Sequence, residues 1–197
     1  MPILPLVLPF LIMVILLADI FFFISGIVSF LYGAPFVALS KGKIRRALKQ
    51  CGLSEDDVFC DLGCGDGRTL LIAVEEFNVK KAVGWEISLF PFFLAKLAAG
   101  RSKAKDRIEI YNKDLLSADI SKATFIYTYL SAGMADKIAG KVVKEASEGT
   151  KLVCMAFPID TAKYGQLEFI KQEDAGGMVA YLYQKKFGGG EDLASGL

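Results

Sequence analysis

The chain has 197 residues, with 23 Lys and Arg against 22 Asp and Glu, so its net charge of +1 creates no broad basic field to attract nucleic acid. It contains no histidine, and its four cysteines, at 51, 60, 64 and 154, form no C-x-x-C pair. This removes imidazole as general base or ligand, argues against a zinc centre or any other metal site, and leaves the cysteines as reduced, mostly buried thiols in one ordinary domain with an appendage.

From Ile3 to Tyr32 the only charged side chain is Asp19, and no Lys or Arg precedes Lys41. As a helix this stretch would reach about 45 Å, more than the roughly 30 Å hydrocarbon core of a bilayer. It reads as a membrane-spanning helix from about Leu8 to Leu31, with Pro2, Pro5 and Pro9 confined to its entry. The rival readings lack their marks: a signal peptide would show a basic leader and a shorter apolar run, and a buried globular helix would be amphipathic. Lys41, Lys43, Arg45, Arg46 and Lys49 crowd the C-terminal flank, which places the folded part on the cytoplasmic side of a single-pass membrane protein; a mitochondrial inner membrane is the eukaryotic counterpart. Asp19, near mid-span, either marks a contact with an oligomeric mate or a membrane substrate, or is a tolerated protonated carboxyl; the oligomeric state stays open.

Residues 1–33 thus read as anchor, 34–186 as the folded domain and 187–197 as a loose tail. After an extended linker at Gly33 to Val37, Ser40 is placed to cap a basic helix running to Cys51. Strands then alternate with helices: strands at Val58–Leu62, Ala82–Glu86, Ile108–Asn112, Thr124–Leu130, Lys151–Phe157, Leu167–Lys171 and Met178–Gln184, and helices at about 68–77, 89–100 and 132–147. This is the pattern of an α/β, Rossmann-like, mainly parallel sheet covered on both faces and ending in a hairpin.

Asp61-Leu62-Gly63-Cys64-Gly65-Asp66-Gly67-Arg68 joins the first strand to its helix. Alternate glycines let the backbone turn sharply and approach a ligand, and the helix start adds N–H groups. The spacing is G-x-G-x-G, not the dinucleotide G-x-G-x-x-G. Asp61 and Asp66 would repel a pyrophosphate but suit cationic amino and sulfonium groups. Glu86 closes the second strand beside Ile87, where a carboxylate can accept both ribose hydroxyls. Asp114 follows the third strand beside Leu115, where it can accept from an adenine amino group. The joint pattern of Asp61, Gly63, Gly65, Asp66, Gly67, Glu86, Ile87, Asp114 and Leu115 points to S-adenosylmethionine, and so to the seven-stranded class I methyltransferase sheet.

Tyr129 ends the fourth strand, on the edge that faces the transferred methyl group, where its ring could hold a lysine amine by cation–π contact; sheet-edge packing is the bland alternative. The Asp/Asn-Pro-Pro-Tyr signature of nucleobase-amine methylation is absent. The helix from Leu89 to Ala99 is apolar nearly all round, which fits core packing or a contact with the membrane surface or the anchor.

From about Pro35 to Lys185 the chain resembles the small seven-stranded protein-lysine methyltransferases, a group that includes a broad-specificity archaeal enzyme and mitochondrial, membrane-anchored enzymes acting on the ATP synthase c subunit and the adenine nucleotide translocase. The matching residues are the 61–68 block, Asn78 to Gly84 with Glu86-Ile87, Asp119 to Thr124, and Gly149-Thr150. The resemblance implies lysine methylation of a membrane-associated protein, with Phe36 and Tyr129 lining the acceptor channel. Two departures stand out: Ala38-Leu39-Ser40 replaces the family's Pro-Thr-Pro after Pro35-Phe36-Val37, and Cys154-Met155-Ala156-Phe157 replaces a Ser-His-Asp/Glu-Phe run. Methylation of a lipid, quinone or other small amphiphile, and a cofactor-binding scaffold without turnover, are the alternative readings.

Overall fold

The computed structural model describes residues 4–31 and 37–187. Helix α1 (Leu4–Leu31) is followed by α2 (Lys41–Gln50), β1 (Val58–Leu62), α3 (Arg68–Glu75), β2 (Lys81–Trp85), α4 (Leu89–Arg101), β3 (Ile108–Tyr111), β4 (Phe125–Thr128), α5 (Ala132–Glu145), β5 (Lys151–Met155), β6 (Leu167–Asp174) and β7 (Val179–Lys185). The strands form one seven-stranded sheet in the order β3-β2-β1-β4-β5-β7-β6. The first five run parallel, and β7 pairs antiparallel with β5 and β6. The expected mixed sheet with a closing hairpin is therefore present.

Central strands β1, β4 and β5 are buried almost throughout because helices cover both sheet faces. One face packs Phe59, Phe125, Val153 and Met155 against α2, α3 and α4 through Ile44, Leu48, Leu70 and Ala95. The other packs Leu62, Ile126, Leu152 and Tyr183 against Ile138 and Val142 of α5. All four cysteines are free and buried.

Several boundaries differ from the sequence reading. Helix α1 starts at Leu4, so Pro9 lies inside it; the proline removes only the N–H that would have bonded back to residue 5. Ser40 stands at the start of α2, yet its hydroxyl makes no capping bond; its carbonyl accepts from the N–H groups of Lys43 and Ile44. Strand β4 ends at Thr128 and β5 at Met155, where the pairing Thr128 to Cys154 stops and Ala156 enters the left-handed region at φ 70°. Strand β6 runs on to Asp174, because Gly176 and Gly177 close the hairpin at positive φ with Asp174 accepting from the Gly177 N–H.

Gly84 sits in the middle of β2 where the chain above it comes closest. A Cβ there would stand 2.7 Å from both Cys64 Sγ and Leu70 Cδ1. We expect Gly84→Ala to destabilise the fold by about 1–3 kcal/mol through overpacking, read as a lowered thermal midpoint of the full chain in detergent. An unchanged midpoint would show that the α3 packing is looser than this.

Parallel strands β1 and β4 are adjacent, but their connections leave in opposite directions, and the crevice at their carboxyl ends is where a doubly wound sheet places a ligand.

Candidate functional site

A cleft, part of it open to solvent, lies at this switch point. Its lining includes Asp61, Gly63, Gly65, Asp66, Glu86, Ile87, Asp114, Leu115 and Tyr129, drawn from the ends of four strands. Gly67, chosen with them from the sequence, does not line it. Phe36 lies outside the described residues, and the neighbouring Val37, Ala38 and Leu39 line the cleft.

The turn after β1 is held by the backbone of β2: the Gly63 and Cys64 N–H groups both donate to the Trp85 carbonyl at 2.9 Å. Gly63 has φ 89°, and a Cβ there would come within 3.0 Å of Leu130 Cδ2 at the end of β4. Gly67 has φ 77°, and a Cβ there would come within 3.1 Å of the Ala95 Cα in α4. The first glycine thus shapes the cleft wall, and the last lets α4 pack against the start of α3.

Glu86 is 8% exposed and ties the turn to the next helix. Its Oε2 accepts from the Gly65 N–H at 3.0 Å and its Oε1 from the Ser88 N–H at 2.7 Å. Burial raises its pKa, and these backbone bonds partly offset the rise. The Asn112 amide donates to the carbonyls of Glu86 and Ile87, fixing the strand end from the β3 side.

Asp61 is 2% exposed, and burial, then the charge of Glu86, push its pKa up to about 8 against a hydrogen bond from Thr69. Beside it on β4, Tyr127 carries a buried hydroxyl with no hydrogen-bond partner among the described residues. Burial and the neighbouring Asp61 hold that hydroxyl well above the ordinary tyrosine range. Two buried carboxylates and an unmet hydroxyl, facing one cleft without a protein cation between them, fit a cationic ligand rich in hydroxyl groups.

Asp66 behaves differently. Burial raises its pKa, but bonds from Arg68 outweigh this and leave it lowered: the Arg68 Nε donates to Asp66 Oδ1 at 2.8 Å, and Nη2 reaches Oδ2. Arg68 Nη1 also donates to the Leu39 carbonyl at 2.9 Å, clamping segment 37–39 over the cleft. The charge of Asp66 is therefore met by Arg68, although Asp66 itself lines the cleft. Asp114 Oδ1 accepts from the Leu116 N–H at 2.8 Å and caps the short 3-10 turn Leu115–Ser117 at the cleft rim.

Sequence reasoning missed Thr69, Trp85, Tyr127, Leu130 and Met134, which also line the cleft. Period-two alternation back from Tyr129 would have reached Tyr127; the others need the fold. Cys154 and Met155, where the chain departs from the family pattern, are buried in the two cores and do not line the cleft. Among the described residues no group of three His, Cys, Asp or Glu side chains is placed to hold a metal ion.

Residues 61–166, more than half of the chain, match the family model of the ANTKMT methyltransferase domain. The chain belongs to this methyltransferase family. The methyltransferase is 35% identical over 157 residues to a protein-lysine N-methyltransferase of Saccharolobus islandicus, covering 79% of this chain and 96% of that protein. It is 27% identical over 127 residues to the adenine nucleotide translocase lysine N-methyltransferase of Mus musculus, covering 64% of this chain and 55% of that longer protein. Among solved structures, an RNA methyltransferase from Salinibacter ruber in complex with S-adenosyl-L-homocysteine superposes with a TM-score of 0.70 at 29% identity, covering 81% of this chain and all of that one. The enzyme is an S-adenosylmethionine-dependent methyltransferase.

Proposed function

We propose that this methyltransferase transfers a methyl group to lysine side chains of a membrane-associated protein, working from a single membrane-spanning anchor with its catalytic domain on the cytoplasmic side. The observation that carries the choice of acceptor is its likeness to the Saccharolobus islandicus protein-lysine N-methyltransferase over nearly that protein's whole length. The anchor rests on α1, whose stretch Val7–Ile27 is long and apolar enough to cross a bilayer and is exposed except at Ser25, and on the basic residues that follow it. In this reading residues 1–33 form the anchor, 34–186 the catalytic domain and 187–197 a tail.

Within the cleft, Glu86 accepts from the ribose hydroxyls of S-adenosylmethionine; its oxygens keep lone pairs beyond the two backbone bonds they already accept. Asp114, with Ile87 and Leu115 as apolar walls, holds the adenine. Gly63, Gly65 and Gly67 shape the turn, Asp66 braces it through Arg68, and Asp61 with the Tyr127 hydroxyl faces the cationic methionyl end. The bound cofactor supplies a methyl group already activated on sulfur, so the protein's task is alignment for an in-line displacement. Tyr129 and, from the segment outside the described residues, Phe36 line the acceptor channel, where an aromatic face holds the lysine ammonium by cation–π contact until it gives its proton to water and the neutral amine attacks the methyl group.

The Salinibacter ruber structure carries the name of an RNA methyltransferase, which makes RNA the acceptor to be tested against lysine. Full-length enzyme in detergent, incubated with methyl-labelled cofactor, host membranes and host RNA, separates the readings. Label is expected in protein that survives lipid extraction and nuclease treatment. Label in the organic phase or in nucleic acid would overturn the lysine assignment.

A further inference from the structure

Helix α4 is built inside out. The residues it buries fully are small, Pro91, Ala95 and Ala99, with Phe92 packed partly against the core, while Leu89, Phe93 and Leu97, four residues apart and therefore on one stripe, are 43%, 57% and 53% exposed. Burial in the core would reward the opposite arrangement.

The same helix meets the apolar anchor. The Phe90 N–H donates to Ser25 Oγ at 3.2 Å, and the Phe22 and Phe90 rings meet edge-on with centroids 5.2 Å apart. Ser25 is buried by this contact, although the rest of the apolar window around it is exposed. Phe22 and Ser25 lie nine and six residues before Leu31, where α1 ends, which at 1.5 Å per residue is roughly 9–14 Å along the helix from its cytoplasmic end. An interfacial helix buries its apolar face about 5–10 Å deep, a depth that Ser25, and with it the Phe90 N–H, reaches in this reading. Lys96 stands exposed on the same helix and Arg101 ends it, where long basic side chains reach headgroup phosphates.

From this geometry we infer that the Leu89, Phe93 and Leu97 stripe of α4 is a second membrane contact, seated in the headgroup and acyl boundary of a phospholipid bilayer. The inference rests on the reading of α1 as a membrane anchor and adds what the anchor alone does not supply, a fixed orientation. Because α4 begins two residues after Ile87 in the cleft lining, docking this stripe holds the mouth of the cleft at the membrane surface, within reach of side chains that emerge from the bilayer. The acceptor class that follows is a lysine just outside the hydrocarbon core, not one on a distant soluble domain.

The four native cysteines are buried, so an added surface cysteine takes a fluorophore selectively. The test uses the full chain in phosphatidylcholine and phosphatidylglycerol nanodiscs, with an environment-sensitive label at Phe93→Cys, Leu97→Cys, Leu16→Cys in α1, or Lys137→Cys on the opposite sheet face. Each is read with and without lipids brominated near the top of the acyl chain. Loss of fluorescence is expected at positions 93 and 97 with brominated lipid, and none at 137. Quenching at 16 without quenching at 93 and 97 overturns the α4 contact while leaving the anchor standing. No quenching at 16 overturns the anchor and, with it, the inference. A blue-shifted label at 93 or 97 that brominated lipid does not quench places protein on the stripe, and likewise overturns it.

Discussion

Glu86→Ala is expected to weaken S-adenosylmethionine binding by about a hundredfold or more, measured by calorimetry on the full chain in detergent. Hydrogen bonds to a charged group contribute about 1.5–3 kcal/mol each, and the variant loses two such bonds to the ribose. At 1.4 kcal/mol per factor of ten, the combined loss is roughly 3–6 kcal/mol, or two to four orders of magnitude. The variant also leaves the Gly65 and Ser88 N–H groups without the acceptor that holds the turn and the start of α4 in place. Glu86→Gln keeps the shape and one carbonyl oxygen, so its loss is smaller, about tenfold. Asp114→Ala follows the same logic at the adenine, with the Leu116 N–H losing its cap. Unchanged affinity in both alanine variants would refute the assignment of the cleft to the cofactor.

Asp61→Asn is expected to trade function for stability. Asp61 has its pKa pushed from the ordinary 3.8 up to about 8. A carboxyl raised in this way adds stability to the folded state only below its unfolded value; the contribution is lost as pH rises from about 4 to about 8 and stays absent above. One unit is worth 1.36 kcal/mol, so the full difference is about 6 kcal/mol at most. Without cofactor, the melting midpoint of the wild-type enzyme should therefore fall between pH 5 and 8 relative to that of Asp61→Asn, and the two should converge near pH 4. The cofactor's ammonium group favours the ionised carboxylate, so binding to the wild type at pH 7 releases close to one proton, seen as a dependence of the binding heat on buffer ionisation enthalpy. The asparagine variant should bind poorly and release none. Parallel melting profiles across this pH range would show that Asp61 is not a desolvated acid.

The glycine turn was legible in the sequence because its requirements are local: a run of apolar strand residues, then left-handed backbone angles that only glycine adopts at low cost. Glu86 and Asp114 were legible because strand ends are the ligand-facing positions of this sheet. Tyr127 was not, because its place beside Asp61 depends on the register between β1 and β4, which joins residues 66 positions apart. Asp66 was read without its partner for the opposite reason. Its partner Arg68 is only two residues away, but the side-chain conformation that brings them together is not written in their spacing. Gly67 belongs to the same motif yet serves helix packing against Ala95, a contact visible only once α4 is laid across α3. Helix α4 was read as apolar nearly all round, while the outward direction of Leu89, Phe93 and Leu97 could come only from the fold.

The departure at Cys154-Met155-Ala156 also takes its meaning from the structure. Both Cys154 and Met155 fill cores on either side of β5, so the change from a polar pair leaves the cleft's carboxylates and tyrosines in place.

The most direct test of the account is the chemical identity of the methylated group. Full-length enzyme is incubated with methyl-labelled S-adenosylmethionine and native membranes, the protein fraction is hydrolysed to amino acids, and the labelled species is identified by mass. Labelled Nε-methyl-lysine is expected with the wild-type enzyme, and its loss with Glu86→Ala. Label recovered in any other amino acid, in lipid or in RNA would contradict the account.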